Sequence, residues 1–387
     1  MKHILDRALA VAASLRTSVV LLVLLALLTW LGTLEQVDSG LFDVQRRYFD
    51  SFGLIHEAWG VPIPLPGARL VMIVLFVNLA IGGVLRMRRG VATAGVLIAH
   101  LGIVFLLFAG LVKAWYSVEG HVTLPEGGQA NFFESYQRFE FALLEKQEGG
   151  RVREFTIPEE AFTRATPAKP VRFAQAELPF ELEVTRYLPN CRAVPKGPMV
   201  DAALPVIDGF FLDARPQERE HERNRPGAYV ALIEKSTGAR SEGLVIGDAE
   251  QPLPASFGGR SFGVELRHEQ HELPFTIGLQ KFTKQDHPGM EMAKAFSSDV
   301  SVTKDGSTRP LRISMNQPLR EAGFVLYQSS WAAADEARGV PQRSILAVVN
   351  NPADQFPLYA CIVIAIGLAL HYSRKLLRHI RAEARAT

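Results

Sequence analysis

The chain has 387 residues; 42 basic side chains nearly balance 40 acidic ones, and 48% of the residues are hydrophobic. Its two cysteines form neither C-x-x-C nor C-x-x-C-H, which argues against thioredoxin-like redox chemistry and against a c-type cytochrome. Walker, Rossmann and nucleophile-elbow patterns are absent, and the basic residues are explained by membrane topology rather than by nucleic acid.

In chain order, residues 1–16 form a basic lead with Lys2, Arg7 and Arg16. Residues 17–34 then contain no Asp, Glu, Lys or Arg, and the same holds for 70–85, 90–112 and 355–373. Roughly 20 helical residues cross the hydrocarbon layer, so these stretches predict transmembrane helices at 17–34, 70–85, 90–116 and 355–373. The second is short, but Arg69 and Arg86 at its ends can extend their charged heads into the headgroup region. No small-x-small cleavage site follows the first run, where Trp30 to Leu34 stand, so it is expected to be a retained anchor.

Short loops rich in Lys and Arg stay in the cytoplasm. The lead, the 86–89 turn with Arg86, Arg88 and Arg89, and the tail 374–387 with Arg374, Lys375, Arg378, Arg381 and Arg385 all qualify. Both termini are therefore expected inside a bacterial cytoplasmic membrane, with the loop 35–69 and a large domain at 117–354 on the outer face. In that domain Phe180, Leu182 and Val184 alternate with polar residues, as do Phe262, Val264 and Leu266. Such alternation predicts strands with one buried face. Further candidates at 122–124, 139–144, 228–233, 276–282, 300–302, 311–315, 324–327 and 345–349 make the domain mostly β, with antiparallel sheets or a sandwich. The segment 213–226, dense in Arg, Glu and Pro, predicts a solvated loop. No disulfide is expected between Cys191 in the domain and Cys361 in the last span, since it would have to join a distant loop to the lipid interior.

His100 is the most informative residue, because it falls about 15 Å deep in the third span. A titratable ring there marks a pathway, a proton relay or a cofactor, or else it hydrogen-bonds across a helix interface. The nearby Gly95, Gly102 and Gly110 leave room for another helix or for a flat macrocycle. His121 and His56, outside and near the membrane, are weaker candidates for a metal or haem iron, with solvent exposure the plainer expectation. His268 and His271 are expected to point to opposite faces of one strand, which disfavours a metal pair. His371 is expected at the membrane interface, and Asn78 is expected to hydrogen-bond between helices.

A family resemblance covers nearly the whole chain. Its most specific part is Asn316, Pro318, Gly323, Tyr327, Gln328, Ser329 and Ser330, read as N-x-P-x(4)-G-x(3)-Y-Q-S-S, followed by Asn351-Pro352 and the last span. Leu31-Gly32-Thr33, Gln36, Tyr48-Phe49, His100-Leu101-Gly102, the run Gly120 to Gly127, and Pro288-Gly289 with Phe296 to Val302 add to it. In this order, with three spans, a large domain and a final span, the chain resembles the ResB (CcsB) family of the system II cytochrome c assembly pathway. It departs at Asn351, where an acidic residue is expected, and in the charged stretch 215–225.

The resemblance implies a cytochrome c haem lyase subunit that, with a ResC/CcsA-type membrane protein, carries haem b outward and presents it to apocytochrome c. A thioredoxin-like reductant of the pathway is a further expected partner. Trp30, Trp59, Trp115 and Trp331 are scattered, so the tryptophan-rich haem-binding segment expected of the partner is missing here and the chain is not expected to catalyse attachment alone. His100 is the residue that fits the family's axial haem ligand in the membrane. Two other classes stay open: a membrane-anchored ligand-binding or sensor module, for which the cytoplasmic segments leave little room, and a b-type electron-transfer subunit, which needs paired membrane histidines.

Overall fold

The computed structural model describes residues 10–386 apart from 12, 59, 291 and 336–338, so Lys2, Arg7 and Trp59 lie outside the described residues. The chain divides into two compact units, Met1–Val118 with Asn350–Thr387, and Glu119–Val349.

Among the described residues the first unit has four helical stretches long and apolar enough to cross a membrane, built on α1 (Leu15–Ser39), α2 (Ala68–Asn78) with its continuation to Leu85, α3 (Ala94–Tyr116) and α4 (Phe356–Ala386). Ser14 caps α1 by accepting the Arg16 amide at 3.2 Å, and Gly40, at φ 83°, ends it. α2 continues directly into a π-helical segment, Leu79–Leu85, which brings the second span to 18 residues. α3 begins at Ala94 rather than at residue 90, because Thr93 Oγ1 donates to the Arg88 carbonyl at 2.6 Å and closes a turn there. α4 runs on through the basic tail instead of ending near Ser373.

Asn78, buried in the second span, accepts a hydrogen bond from Ser18 Oγ at 2.6 Å and donates to the Ser14 carbonyl at 3.1 Å, tying α2 to α1 as expected. α3 and α4 touch through small residues. A Cβ on Gly95 would lie 2.6 Å from the His371 nitrogen, and one on Gly367 would lie 2.4 Å from the Ala99 nitrogen. Between α1 and α2 come a short helix (Leu41–Val44), a π-helical turn (Gln45–Phe49) and a hairpin of β1 (Gly53–Ala58) and β2 (Val61–Pro66).

The second unit is almost wholly β. In chain order its strands are β3 (Val118–Pro125), β4 (Gln129–Lys146), β5 (Val152–Pro158), β6 (Val171–Ala174), β7 (Phe180–Leu188), β8 (Cys191–Pro195), β9 (Phe210–Ala214) and β10 (Gly227–Glu234). They continue with β11 (Arg240–Ile246), β12 (Leu253–Phe257), β13 (Arg260–Asp286), β14 (Ala293–Lys304), β15 (Ser307–Ser314), β16 (Leu319–Glu321), β17 (Phe324–Ala332) and β18 (Arg343–Asn350). A ten-stranded sheet runs β15-β14-β13-β4-β3-β18-β17-β16, with β12 on β13 and β5 on β4. A four-stranded sheet runs β11-β10-β7-β6, and β8 pairs with β9.

Two hydrophobic cores result. In one, the four-stranded sheet packs on β4, β5, β12 and the first part of β13, around Phe141, Phe162, Phe180, Leu182 and Val264. The other lies inside the curl of the remaining strands, whose last members return against β14 and β15, around Leu124, Phe133, Ile277, Val300, Leu326 and Leu346. Strand β13 serves both. The expected strands at 262–266 and 276–282 are one 27-residue strand, which changes direction at irregularities between His268 and Gln270 and between Glu272 and Ile277.

The segment 213–226 is mostly exposed, as its charge predicts, but it is not all loop. Asp213 and Ala214 end β9, and buried Asn224 accepts the Glu218 amide at 2.8 Å, pinning the excursion.

Candidate functional site

The candidate histidines fall in three separate settings, two in the helical unit and one in the β unit. His100 follows Ala99 in α3, and that one-residue offset turns it from the Ala99 face that meets α4 toward the π-helical end of the second span. A Cβ on Gly83 would sit 2.8 Å from Leu79 Cδ1, 3.3 Å from His100 Cγ and 3.4 Å from Cδ2, so the glycine lets the second span pack closely against the ring. Single π-helical turns recur at functional positions, because the wider turn re-aims the residues that follow. His100 Nδ1 is buried and has no hydrogen-bond partner among the described residues. A buried polar atom without a partner costs about 1–3 kcal/mol, so the site suits a ligand that completes it. Of the glycines that could make room for a macrocycle, Gly95 and Gly102 are occupied by α4, while Gly110 faces open space.

His56 lies on β1 beside a polar cluster. Tyr48, fully buried in the π-helical turn, donates to Glu35 Oε2 at 2.5 Å, and its oxygen lies 2.5 Å from His56 Nδ1. Arg47 bonds both Glu35 Oε1 and the Ile55 carbonyl. Gly32 allows this arrangement, since a Cβ there would meet Val44 and Phe49 at 3.3 Å; that accounts for Leu31-Gly32-Thr33 occurring with Tyr48-Phe49. Burial, reinforced by the Glu35 carboxylate, raises the Tyr48 phenol well above its ordinary value. His56 is only partly exposed, not a free solvent-facing ring.

His121 is also half-buried rather than solvent-exposed. It stands on β3 with its ring stacked on Tyr136 at 5.0 Å and 6.1 Å from His268, a pairing of distant strands that sequence spacing cannot reveal. Together with Glu134, Asp248, Gln270 and Arg343, the two rings line a cavity of about 600 Å³, and the buried Nδ1 of His121 has no hydrogen-bond partner among the described residues. His271 packs on Phe133 instead, apart from this pair. Among the described residues no group of three or more His, Cys, Asp or Glu side chains could hold a metal ion.

The surroundings shift the two imidazoles in opposite directions from their ordinary value. Burial lowers His121, with only partial compensation from Glu134. Burial also opposes charge on His268, but Asp248, with Oδ2 3.3 Å from Nε2, outweighs it and raises the ring above 6.5. A raised value gives stability that is complete below 6.5 and lost as pH rises through the folded value. A lowered value means that protonation opposes folding, so stability falls as pH drops below 6.5 toward the folded value. Denaturant unfolding across pH is therefore expected to show His268→Gln flattening the alkaline-side decline and His121→Gln flattening the acid-side decline. If neither variant changes its slope, the pair is not linked to stability.

The C-terminal motif has structural jobs. Asn316 and Pro318 lie in the turn between β15 and β16. Ala322 and Gly323, at φ 50° and 85°, form a two-residue hairpin turn that needs positive φ at both positions. Tyr327 is partly buried on β17. Gln328 Oε1 accepts from Ser298 Oγ at 2.6 Å, Ser298 and Ser344 meet at 2.8 Å, and Ser329 hydrogen-bonds Tyr136. Asn351 Oδ1 accepts the Ala353 amide at 2.9 Å, a bond that an acidic side chain would also make. Cys191 and Cys361 are both free, and burial pushes the Cys191 thiol up to about 12.

The ResB-like family model matches residues 82–174 and 255–359, just over half the chain, and so takes in Gly83, His100, His121 and the motif from Asn316 to Ser330. Two proteins of Prochlorococcus marinus described as cytochrome c biogenesis protein CcsB, from strains NATL1A and NATL2A, are 34% and 33% identical over 101 residues. That region is 26% of this chain and 21% of each relative, so the chain aligns with about a fifth of their length. Apolar spans, a β domain held by the motif's turns and polar contacts, and a match that runs through both agree on one assignment: the chain belongs to the ResB-like family.

Proposed function

We propose that this membrane protein acts in cytochrome c biogenesis, as the subunit that with a ResC/CcsA-type partner moves haem outward and presents it to apocytochrome c. Three basic flanks support a reading in which both termini lie in the cytoplasm and the β domain lies outside a bacterial cytoplasmic membrane. Attachment joins haem vinyl groups to two reduced client cysteines, so the assembly has to hold iron, pass an amphipathic macrocycle and receive an unfolded peptide. In this division of labour the present chain holds and positions, and the partner completes the lyase.

The observation that carries the reading is His100, whose Nδ1 is buried beside Gly83 and has no hydrogen-bond partner among the described residues. An imidazole that served only as helix glue would spend that nitrogen on a neighbouring helix, as Asn78 spends its amide on α1. Haem iron would take one ring nitrogen as an axial ligand. Purified with its partner, the protein is expected to show a haem Soret band that His100→Ala weakens and added imidazole restores. An unchanged band in the variant removes His100 from haem handling.

A further inference from the structure

The polar cluster around His56 fixes where that ring carries its proton. Glu35 is ion-paired with Arg47, and a carboxylate in that state only accepts hydrogen bonds. Tyr48 has a single hydroxyl hydrogen and gives it to Glu35. Its oxygen, 2.5 Å from His56 Nδ1, must then be the acceptor, so Nδ1 is protonated and Nε2 keeps its lone pair. Tyr48 is fully buried, which keeps water from competing for its hydroxyl. Among the described residues nothing hydrogen-bonds Nε2, and the side chain retains 17% exposure. A ring whose other nitrogen donates to an anchored oxygen is the usual form of a metal-ligating histidine, because that bond fixes both tautomer and orientation.

We propose that His56 is a second imidazole ligand for the iron of the haem cargo, offered through Nε2, and that Tyr48 and Glu35 are the positioning residues that preset it. This rests on the proposed haem-handling function. It gives the loop between α1 and α2 a role in receiving cargo.

The test is a titration of the full-length protein in detergent with ferric haem, followed by optical and low-temperature EPR spectra, for wild type, His56→Ala, Tyr48→Phe and His100→Ala. His56→Ala is expected to lose part of the low-spin haem signal and to regain it with added imidazole. Tyr48→Phe keeps the buried ring but removes the acceptor from Nδ1, so haem is expected to bind about 10-fold more weakly or worse, with shifted low-spin g-values. If His56→Ala and Tyr48→Phe match wild type while His100→Ala loses haem, this inference is overturned and the membrane ligand stands. If His100→Ala matches wild type while the other two lose signal, His56 stands as an iron ligand and the His100 reading falls. Loss in His56→Ala without imidazole rescue, together with unchanged affinity in Tyr48→Phe, also overturns the inference, since it marks damage to the loop rather than loss of a ligand.

Discussion

Leucine at position 95 is expected to separate the third and fourth spans, whereas leucine at position 110 of the same helix is expected to be tolerated. A Cβ at Gly95 would stand 2.6 Å from the His371 nitrogen and 2.7 Å from the Gly367 carbonyl oxygen. Those are backbone atoms, which cannot rotate away as a side chain would, so the two helices must move apart along the whole line from Gly95 to Gly102. Overpacking a well-packed site costs about 1–3 kcal/mol, and displacing two backbones puts this case at or beyond the upper end. Gly110 has no heavy atom within 4 Å of the corresponding position. Thermal unfolding in detergent should show a large drop in midpoint for Gly95→Leu and little change for Gly110→Leu. Equal midpoints would mean that the close crossing is not what holds α3 to α4.

In the β unit the largest loss is expected from Phe180→Ala. Phe180 is fully buried on β7, stacks on Phe257 of β12 at 4.8 Å and meets Phe262 of β13 edge-on at 5.1 Å. The three rings join the four-stranded sheet to the ten-stranded one, so removing the middle ring leaves a void between layers that cannot easily collapse. Phenylalanine-to-alanine changes in such cores cost about 3–5 kcal/mol. The exposed Phe210 of β9 is the control, and Phe210→Ala should stay within about 0.5 kcal/mol of wild type. Denaturant unfolding of the full chain, followed by a β-sheet signal, measures both. A Phe180→Ala loss as small as that of Phe210→Ala would show that the two sheets are held together elsewhere.

Much of this architecture was legible in the residues because membranes and half-buried strands impose strong patterns. Uninterrupted apolar runs located all four helices, and alternation at Phe180 to Val184 and Phe262 to Leu266 located β7 and part of β13. The strands that escaped notice, such as β8, β9 and β12, are short and only partly buried, so their alternation is weak. The unity of β13 was hidden for another reason: its irregularities at His268 to Ile277 break the period of two on which strand reading depends.

The candidate sites divide similarly. His100 could be seen because a charge-free span makes any polar residue conspicuous, and Asn78 for the same reason. Gly83 could not, because the pair Gly82-Gly83 in an apolar span shows only small residues, and nothing in the chain says which of the two the π-helical segment sets against the imidazole. The Tyr48 and Glu35 contacts to His56, and the meeting of His121 with His268, come from tertiary placement and leave no local mark in the chain.

Strand β3, the first of the β unit to be synthesised, lies beside β18, the last. Until β18 emerges, one edge of β3 presents unpaired amides and carbonyls, the kind of template on which chains aggregate. Completion of the sheet thus waits for nearly the entire insert to be made, and a chain cut short anywhere before Arg343 keeps an open seam. Quality control that removes unfinished copies needs to sense little more than that seam.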